Sequence, residues 1–279
     1  MPVDMIIADD EILTERGFYW REAGGIKVLC CTALETAGFA NGYSTRIGGV
    51  SPFPAGDLNL AGFNEDTKEN ILENRRRFLS AFDGGYRLAT VWQVHGNAVK
   101  IVSDLDRIDE DDEKFDAVAS QLPGVLIGVK TADCVPVLIG DERNGAYAAI
   151  HAGWRGTAAS IVNTTIKQLQ TTFGSRPADL ICSIGPAATC NYEIGDDVID
   201  AFSHFAGNER YFEPTRKGHA FVDLHLANKD QLLSAGVAES RIFTAPFCTL
   251  DRTDLFFSYR KEKHLNGKTG RLLSVIGKA

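Results

Sequence analysis

The segment from Cys134 to His151 constrains the fold of this chain more than any other part of the sequence. Two apolar runs, 135–139 and 146–150, flank a polar loop at 141–145 that ends in Asn-Gly. Two buried strands joined by such a loop are typical of a β-hairpin. If the loop is symmetric, Cys134 lies opposite His151 to within one residue, where Cβ atoms are about 5 Å apart. This spacing suits two ligands of one metal ion, and it equally suits a thiolate hydrogen-bonded to an imidazole.

A second imidazole occurs in the segment Gln93-Val94-His95-Gly96, although no spacing rule brings His95 to the hairpin. Two histidines and one cysteine are ligands that zinc takes, and three protein ligands leave one tetrahedral position open, as in catalytic zinc sites. Asp133 precedes Cys134 and is a candidate for proton transfer, with a role in orienting the site or in a salt bridge as the alternative. Strand alternation favours the opposite face for its side chain.

The composition indicates the class of protein. The chain has 279 residues, of which 44% are hydrophobic and 24% charged, and it carries a net charge of −8. These values are typical of a globular protein, and the acidic balance argues against binding of nucleic acid or of a membrane surface. No apolar run approaches the ~18 residues of a membrane span. We therefore expect a cytoplasmic protein with one domain over residues 1–279, onto which residues 1–25 pack as an N-terminal extension.

Three further expectations follow from local composition. Residues 1–13 are acidic and have no basic region, so they do not resemble a signal peptide. The six cysteines are expected to be reduced thiols, because a cytosolic chain of this length does not rely on a disulfide framework. The acidic run at 104–113 is expected to be a solvated loop.

Local patterns predict a mixture of helices and strands. Asp66 and Glu69 resemble a capping box for a helix that stops before Gly84-Gly85. Periodic apolar residues predict a second helix from Ile161 to its end at Gly174. Strands are predicted at 91–102, 125–129, 135–139, 146–150, 256–259 and 272–276, several of them buried on both faces. This mixture lacks a strict βαβ rhythm and favours a single α/β (α+β) domain with a mixed sheet.

Arginine and aromatic side chains are candidate ligand contacts. Arg155 lies in the segment His151-Ala152-Gly153-Trp154-Arg155-Gly156, ahead of a predicted helix whose free N–H groups favour an anion. A guanidinium can hold phosphate through two hydrogen bonds, and Arg46 is a second candidate of this kind. Phe257 and Arg260 lie in Phe256-Phe257-Ser258-Tyr259-Arg260, where two aromatic rings either stack on a planar ligand or pack in the core.

Eight motifs, in order from about residue 44 to the C terminus, form a highly specific combination. They are Thr45-Arg46-Ile47-Gly48-Gly49-Val50-Ser51, Leu58-Asn59-Leu60, Glu73-Asn74-Arg75-Arg76-Arg77, Gln93-Val94-His95-Gly96, Thr131-Ala132-Asp133-Cys134-Val135-Pro136, His151-Ala152-Gly153-Trp154-Arg155-Gly156, Ile184-Gly185-Pro186 and Phe256-Phe257-Ser258-Tyr259-Arg260. Together they resemble the bacterial purine nucleoside phosphorylase family, which has long been labelled a multicopper polyphenol oxidase or laccase domain.

The resemblance implies a fold, an activity and a site. The implied fold is an α/β/β/α sandwich related to the catalytic domain of cytotoxic necrotizing factor. The implied reactions are phosphorolysis of adenosine, inosine and methylthioadenosine, and deamination of adenosine to inosine, with purine nucleosides and phosphate as partners. Zinc would be held by His95, Cys134 and His151, and copper could take the same place. The expected catalytic residues are Cys134, His151 and Asp133, and the expected substrate contacts are Arg46, Gln93, Arg155, Phe257 and Arg260.

The sequence departs from the family pattern in two places. After Pro186 it reads Ala-Ala-Thr-Cys190-Asn-Tyr192-Glu193 instead of Gly-Pro-Cys-Cys-Tyr-Glu. After Arg260, Lys261 replaces a frequent arginine, and 262–266 resembles an insertion. These departures concern the choice of nucleoside and leave the metal ligands unchanged.

Three alternatives to the nucleoside enzyme stay open at this point. A metal-free hydrolase of the amidase type would use Cys134 as nucleophile and His151 as base. A polyphenol oxidase would need copper, but the chain has six histidines, too few for the blue-copper centre and trinuclear cluster of a multicopper oxidase. A non-enzymatic zinc-binding protein would need a fourth ligand, for which Cys248 is the candidate.

Overall fold

The structure, a computed structural model, describes residues 3–52, 56–62, 65–105 and 113–279; the side chains of 3–8 and 265–266 lie outside that description. The helices are α1 (Val3–Arg16), α2 (Thr32–Thr36), α3 (Lys68–Leu79), α4 (Trp154–Ala158), α5 (Ile161–Phe173), α6 (Asp196–Ala201), α7 (Leu224–Ser234) and α8 (Tyr259–Asn266). The strands are β1 (Phe18–Ala23), β2 (Ile26–Cys31), β3 (Phe39–Ser44), β4 (Arg87–Ala89), β5 (Val99–Val102), β6 (Ala117–Ser120), β7 (Val125–Thr131), β8 (Val135–Asp141), β9 (Tyr147–Ala152), β10 (Leu180–Ile184), β11 (Glu193–Gly195), β12 (Phe212–Pro214), β13 (His219–Val222), β14 (Ile242–Thr244) and β15 (Leu272–Lys278).

These strands form two six-stranded sheets and a small third one. The first large sheet has the order β1-β2-β3-β15-β7-β4, and the second has the order β14-β10-β8-β9-β6-β5. The small sheet is β11-β13-β12. Both large sheets are mixed, because β4 runs parallel to β7, and β5 and β14 run parallel to β6 and β10, while the other pairs are antiparallel.

Three apolar clusters show how the layers stack. Between the large sheets lie side chains from both, among them Tyr43, Ile127, Leu138 and Tyr147. The outer face of the second sheet packs on α5 and α7, and the outer face of the first sheet packs on Phe78 of α3. Both faces of β7, β8 and β9 are therefore covered, which explains their nearly continuous apolar sequence. The result is the α/β/β/α sandwich that the family resemblance implies.

The hairpin is present, but its register differs from the symmetric expectation. Strands β8 and β9 pair Val137 with Ile150 and Pro136 with His151. The Asp141 amide donates to the carbonyl of Ala146, so the loop has four residues rather than five. Because Pro136 is the partner of His151, Cys134 is two residues out of register with His151, and the prediction of opposition to within one residue was wrong by one residue.

Both predicted helices are present: α5 begins at Ile161 as predicted, and α3 has a different N-cap and ends at Leu79, ahead of Gly84-Gly85. Helix α3 is capped by Thr67, whose side chain accepts from the Asn70 amide, and not by Asp66. Helix α5 ends at Gly174 as predicted, with the glycine in the left-handed region at φ 67°. The short helix α4 was not predicted; it contains Arg155, and Ser160, which has a positive φ, separates it from α5.

Two strand predictions were wrong. Residues 256–258 lie outside any strand and Tyr259 begins α8, which Ser258 caps by accepting from the Lys261 amide; the apparent insertion at 262–266 is part of that helix. Of the strand predicted at 91–102, only β5 forms. The residues before β5 turn instead, with His95 at φ 61°. The strands predicted at 125–129, 135–139, 146–150 and 272–276 are all present.

The N-terminal part contributes a helix and a sheet edge. Leu13 of α1 is buried beside Phe18 in the core between the sheets, and Asp9 pairs with Arg252 at 2.8 Å. Residues 18–23, within the expected extension, form the outermost strand of the first sheet. Most of the acidic run, 106–112, lies outside the described residues. Among the described helices, none has the length and apolar character needed to cross a membrane.

One expectation about the cysteines was wrong. Cys190 and Cys248 are joined by a disulfide, whereas Cys30, Cys31, Cys134 and Cys182 are free. The two bonded residues are 58 positions apart and are brought together because Ala187 and Cys248 pair in an isolated parallel bridge. Such non-local pairing leaves no signal in the spacing of the cysteines.

A side-chain hydrogen bond joins the two large sheets, and its removal tests the sandwich. The Tyr43 hydroxyl in β3 contacts both the carbonyl and the hydroxyl oxygen of Ser183 in β10 at 2.8 Å. Replacing Tyr43 with Phe leaves these buried groups without that partner, so we expect a loss of about 1 to 2 kcal/mol in the free energy of unfolding in urea. Tyr86→Phe is the control, because the Tyr86 hydroxyl makes no hydrogen bond within the described part of the chain. Equal stability of both variants would show that the Tyr43 contact does not join the sheets.

Candidate metal centre

Three loops and strand ends bring two imidazoles and one thiol together. His95 lies in the turn before β5, Cys134 lies between β7 and β8, and His151 lies in β9. One ligand atom from each residue falls within 4.8 Å of the other two. The Cys134 sulfur is 4.0 Å from His95 Nε2, and the two imidazole rings are 4.8 Å apart at 76°. The trio suggested by the sequence is therefore assembled, with His151 buried and His95 exposed.

The Asp116 carboxylate connects two of these residues, and sequence reasoning missed it. Oδ1 accepts from His151 Nδ1 at 2.8 Å and from the His95 amide at 2.8 Å. Oδ2 accepts from the amides of Gly96 and Val94 at 2.6 and 3.2 Å. Because the carboxylate can only accept, His151 carries a hydrogen on Nδ1, and Nε2 is the ring nitrogen left to bind a metal ion. Asp116 thus fixes both the tautomer of one ligand and the backbone of the other.

The hydrogen bonds to Asp116 compensate for the burial of its negative charge. The residue is fully buried immediately before β6. Burial opposes its ionisation, but the hydrogen bond from His151 and the amides of Gly96 and His95 hold the pKa of the carboxyl below its usual range. The only signal in the sequence is an acidic residue directly ahead of a small apolar run, Ala117-Val118-Ala119. That signal does not predict which residues the carboxylate contacts.

Asp133 holds the backbone from which Cys134 projects. It adopts a left-handed conformation at φ 84°, which costs energy for a residue other than glycine. Its carboxylate accepts from Thr249 Oγ1 at 2.7 Å, from Ser258 Oγ at 3.0 Å and from the Arg260 amide at 2.7 Å. Burial raises the pKa of Asp133 against the effect of these donors. Of the roles expected for Asp133, this geometry favours orienting the site over transferring a proton.

Electrostatics favour a charged pair at Cys134 and His151. Burial opposes the thiolate. His151 and His95 favour it through their charges and their hydrogen bonds to the sulfur, and they lower the pKa of Cys134. Burial likewise opposes the imidazolium, while the Cys134 charge and the Asp116 hydrogen bond raise the pKa of His151. A thiolate is both the better metal ligand and the better nucleophile. The electrostatics alone therefore fit a metal site and a cysteine hydrolase equally.

Gly153 gives the trio its open space. A Cβ at this position would lie 3.0 Å from His95 Cδ2, 3.1 Å from the Cys134 sulfur and 3.7 Å from His151 Nε2. Its φ of −67° is open to any residue, so the space and not the backbone requires glycine. A side chain here would occupy the volume that the three ligand atoms share.

The residues fit a tetrahedral metal ion with one position left over. Zinc at its usual distances from nitrogen and sulfur separates these ligand atoms by about 3.6 Å, close to the 4.0 Å between Cys134 and His95. The Asp116–His151 contact has the form of the carboxylate–histidine pairs that orient metal ligands. Copper accepts the same donor set. Cys248 does not close the site, because its sulfur is bonded to Cys190.

Two of the expected substrate contacts are used for packing. The Arg46 guanidinium donates to Asp57 at 2.8 and 3.2 Å, to Glu262 at 2.6 Å and to the carbonyl of Thr253. Its charge is thus already balanced by two carboxylates. Phe257 is fully buried, lies under Arg46 and leaves no room for a Cβ on Gly270. Both residues are in the core, so neither is placed to hold phosphate or to stack on a base.

The other three expected contacts lie on segments that carry or contact the trio: Gln93 is two residues before His95, Arg155 is four residues after His151, and the Arg260 amide donates to Asp133. Gln93 makes two hydrogen bonds with the backbone of Lys130, at 2.6 and 2.7 Å, which join the His95 turn to β7. Arg260 is exposed, stacks on Tyr192 and donates to the Glu193 carbonyl. Arg155 is exposed, its guanidinium lies 4.1 Å from the centre of the Trp154 ring, and no ion pair is recorded for it within the described residues.

Comparisons with known proteins agree with this architecture. A family model described as multi-copper polyphenol oxidoreductase laccase matches residues 40–279. The chain is 34% identical to the purine nucleoside phosphorylase YlmD of Geobacillus stearothermophilus, over 90% of this chain and 94% of that protein. It is also 34% identical to a purine nucleoside phosphorylase of Staphylococcus saprophyticus, over 85% of this chain and 90% of that protein.

Solved structures show the same fold. The crystal structure of the hypothetical protein YfiH of Bacillus licheniformis matches with a TM-score of 0.86 at 28% identity, over 94% of this chain and 99% of that chain. The structure of YlmD matches with a TM-score of 0.83 at 34% identity, over 94% of this chain and 98% of that chain. The chain therefore belongs to the multi-copper polyphenol oxidoreductase laccase family, as its motifs suggest.

The Asp116 carboxylate can be tested separately from catalysis. Asp116→Asn keeps the shape but turns an N–H group toward donors that need an acceptor. We expect the affinity for zinc, measured by competition with a chromophoric chelator, to fall about 10- to 100-fold. Asp141→Asn is the matched control, since Asp141 is also fully buried but accepts from Arg143 and Asn144 at the far end of the hairpin. Unchanged zinc affinity in folded Asp116→Asn would contradict the assigned role.

Proposed function

We propose that this protein is a zinc-dependent purine nucleoside phosphorylase acting on adenosine, inosine and methylthioadenosine. The observation that carries the proposal is the His95, Cys134 and His151 cluster, with a His151 Nε2 that Asp116 does not use and open space at Gly153. Relatives named purine nucleoside phosphorylases match the chain over nearly their whole length, which supports the substrate class. In this reaction the bond between the sugar C1′ and the purine nitrogen breaks, phosphate oxygen bonds to C1′, and the purine takes up a proton.

The chain's own residues prepare the site for this exchange. Bound by the trio, zinc would supply Lewis acidity at its open position. Asp116 and Asp133 would hold the metal ligands in place through contacts within the chain, so little reorganisation is needed at the reacting centre. Arg155 is the proposed phosphate contact, since its guanidinium is exposed and lies four residues after His151. Arg260, stacked on Tyr192 and tied through its amide to Asp133, is the proposed contact for the nucleoside.

Deamination of adenosine to inosine is a second proposed reaction of the same site. A fourth protein ligand would leave no position on the metal for water. Cys248 cannot be that ligand, because its sulfur is bonded to Cys190, and this favours the second reaction. The two reactions differ in their requirement for phosphate. Ammonia released from adenosine without phosphate would indicate deamination, and adenine with ribose 1-phosphate would indicate phosphorolysis.

The alternatives make different predictions for metal. A cysteine hydrolase of the amidase type would stay active after chelation and lose activity on alkylation of Cys134. A copper oxidase would oxidise phenols only when loaded with copper. We propose zinc as the native metal because one thiolate and two imidazoles satisfy it without a redox requirement.

The proposed activity is tested with inosine and adenosine, each with and without phosphate, on protein of known metal content. We expect base and ribose 1-phosphate only when phosphate is present, loss of the reaction after chelation, and recovery with zinc. Gly153→Ala should reduce turnover by at least about tenfold, because its Cβ enters the space between the ligands. The control is Gly62→Ala, where a Cβ would meet nothing within 4 Å. Full activity of metal-free protein would overturn the zinc proposal.

The proposed phosphate contact has its own test. Arg155→Ala should raise the apparent KM for phosphate about tenfold or more, while the KM for the nucleoside changes little, because a charge-assisted hydrogen bond to phosphate is lost. Arg176→Ala is the control, since Arg176 is an exposed arginine that pairs with Asp179. An unchanged KM for phosphate in Arg155→Ala would remove this residue from the site.

A further inference from the structure

The Cys190–Cys248 disulfide joins two segments that support Cys134, the proposed metal-binding cysteine. Cys248 is followed by Thr249, whose hydroxyl donates to the Asp133 carboxylate at 2.7 Å. Two residues before Cys190, the Ala188 amide donates to the Asp133 carbonyl at 2.9 Å. The bridge thus joins two segments that contact Asp133, one through its carboxylate and one through its carbonyl, and Asp133 is the residue directly before Cys134.

The same two segments are linked to each other near the bridge. Ala187 pairs with Cys248, and the Thr249 amide donates to the Ala187 carbonyl at 3.0 Å. The Cys190 amide also contacts the Cys248 sulfur. Asp133 needs this surrounding structure, because a non-glycine residue at φ 84° persists only when its neighbours determine its conformation. A covalent bond between the two segments adds to that constraint.

The bridge is also accessible, unlike most other sulfurs in the chain. Cys190 and Cys248 are both half-buried, whereas Cys30, Cys31 and Cys182 are buried. Thiol–disulfide exchange requires that an attacking thiolate reach one sulfur along the bond axis. Small thiols therefore have access to this disulfide, and the core thiols are protected from side reactions.

We propose that Cys190 and Cys248 form a redox-active site whose oxidised state holds Asp133, and hence Cys134, in the working conformation of the metal centre. In the reducing direction, one small thiol attacks a sulfur of the bridge to give a mixed disulfide, and a second thiol resolves it. The S–S bond of the protein breaks, two thiols form with two protons and two electrons from the small thiols, and these leave as their own disulfide. Reduction removes the covalent link between the segments around Asp133 and lowers activity; reoxidation by a small disulfide restores it.

The redox state is measured first, without reference to any reaction. In native protein, a thiol reagent should label about one accessible cysteine, Cys134, in the oxidised state and about three after reduction. Peptide mapping should place the two additional labels on Cys190 and Cys248. Failure of the pair to form a disulfide in any glutathione buffer would overturn the proposal.

The conformational effect is measured by hydrogen exchange. On reduction, the amides of Ala188 and Thr249 should exchange faster, because the hydrogen bonds they make beside Asp133 are no longer reinforced by the bridge. The Cys190→Ala, Cys248→Ala double variant should show the fast rate with and without reductant. Equal exchange in the oxidised and reduced wild type would contradict the link to Asp133.

The functional effect rests on the proposed function and is measured last. In zinc-loaded wild type, kcat/KM for phosphorolysis should fall about tenfold on reduction, as expected for a misplaced group at the reacting centre. It should return after reoxidation, while the double variant stays at the low value throughout. Unchanged or increased activity in fully reduced protein would overturn the redox proposal. Absence of phosphorolysis in either state would instead count against the proposed function, leaving the thiol and exchange measurements as the test of the redox site.

Discussion

The Asp116 carboxylate is the contact on which the candidate site depends. It is fully buried and accepts four hydrogen bonds, one from the His151 imidazole and three from the backbone of the His95 turn. These bonds offset the cost of burying a charge. They also connect two ligands that are far apart in the chain, so that the imidazole in β9 and the turn before β5 share one support. Contacts within the chain therefore hold both residues in place.

The sandwich explains how such a support can be buried. Strands β6 and β9 are neighbours in the second sheet, and the His151 amide itself donates to the Asp116 carbonyl. The adjacent hairpin strand β8 begins directly after Cys134. All three ligands thus lie at one end of the second sheet, while the first sheet and helices α5 and α7 cover its faces. The polar groups of the site face one another at that end rather than the apolar layers.

Local patterns predicted the parts of this arrangement that are close in sequence. The hairpin and helix α5 follow from apolar runs and turn residues within about twenty positions. The contact of Asp116 with the His95 turn and the Cys190–Cys248 bond depend on tertiary pairing, which no spacing rule contains. Arg46 and Phe257 were assigned to substrate because an arginine or aromatic residue in a motif has the same sequence whether it contacts a ligand or the core. Burial, which distinguishes the two cases, is a property of the whole fold.

The buried charges around Arg46 explain why that motif matters without contact to substrate. Arg46 binds Asp57 and Glu262, and Glu262 lies in α8, whose first turn donates the Ser258 hydroxyl and the Arg260 amide to Asp133. Removing one partner of a buried ion pair costs about 3 to 5 kcal/mol, because the remaining charge is left uncompensated. A change at Arg46 would therefore act by weakening the attachment of α8 through Glu262, and not by removing a contact to a ligand. Asp133 thus has support from α8 on one side and from the disulfide-linked segments on the other, and the position of Cys134 depends on both.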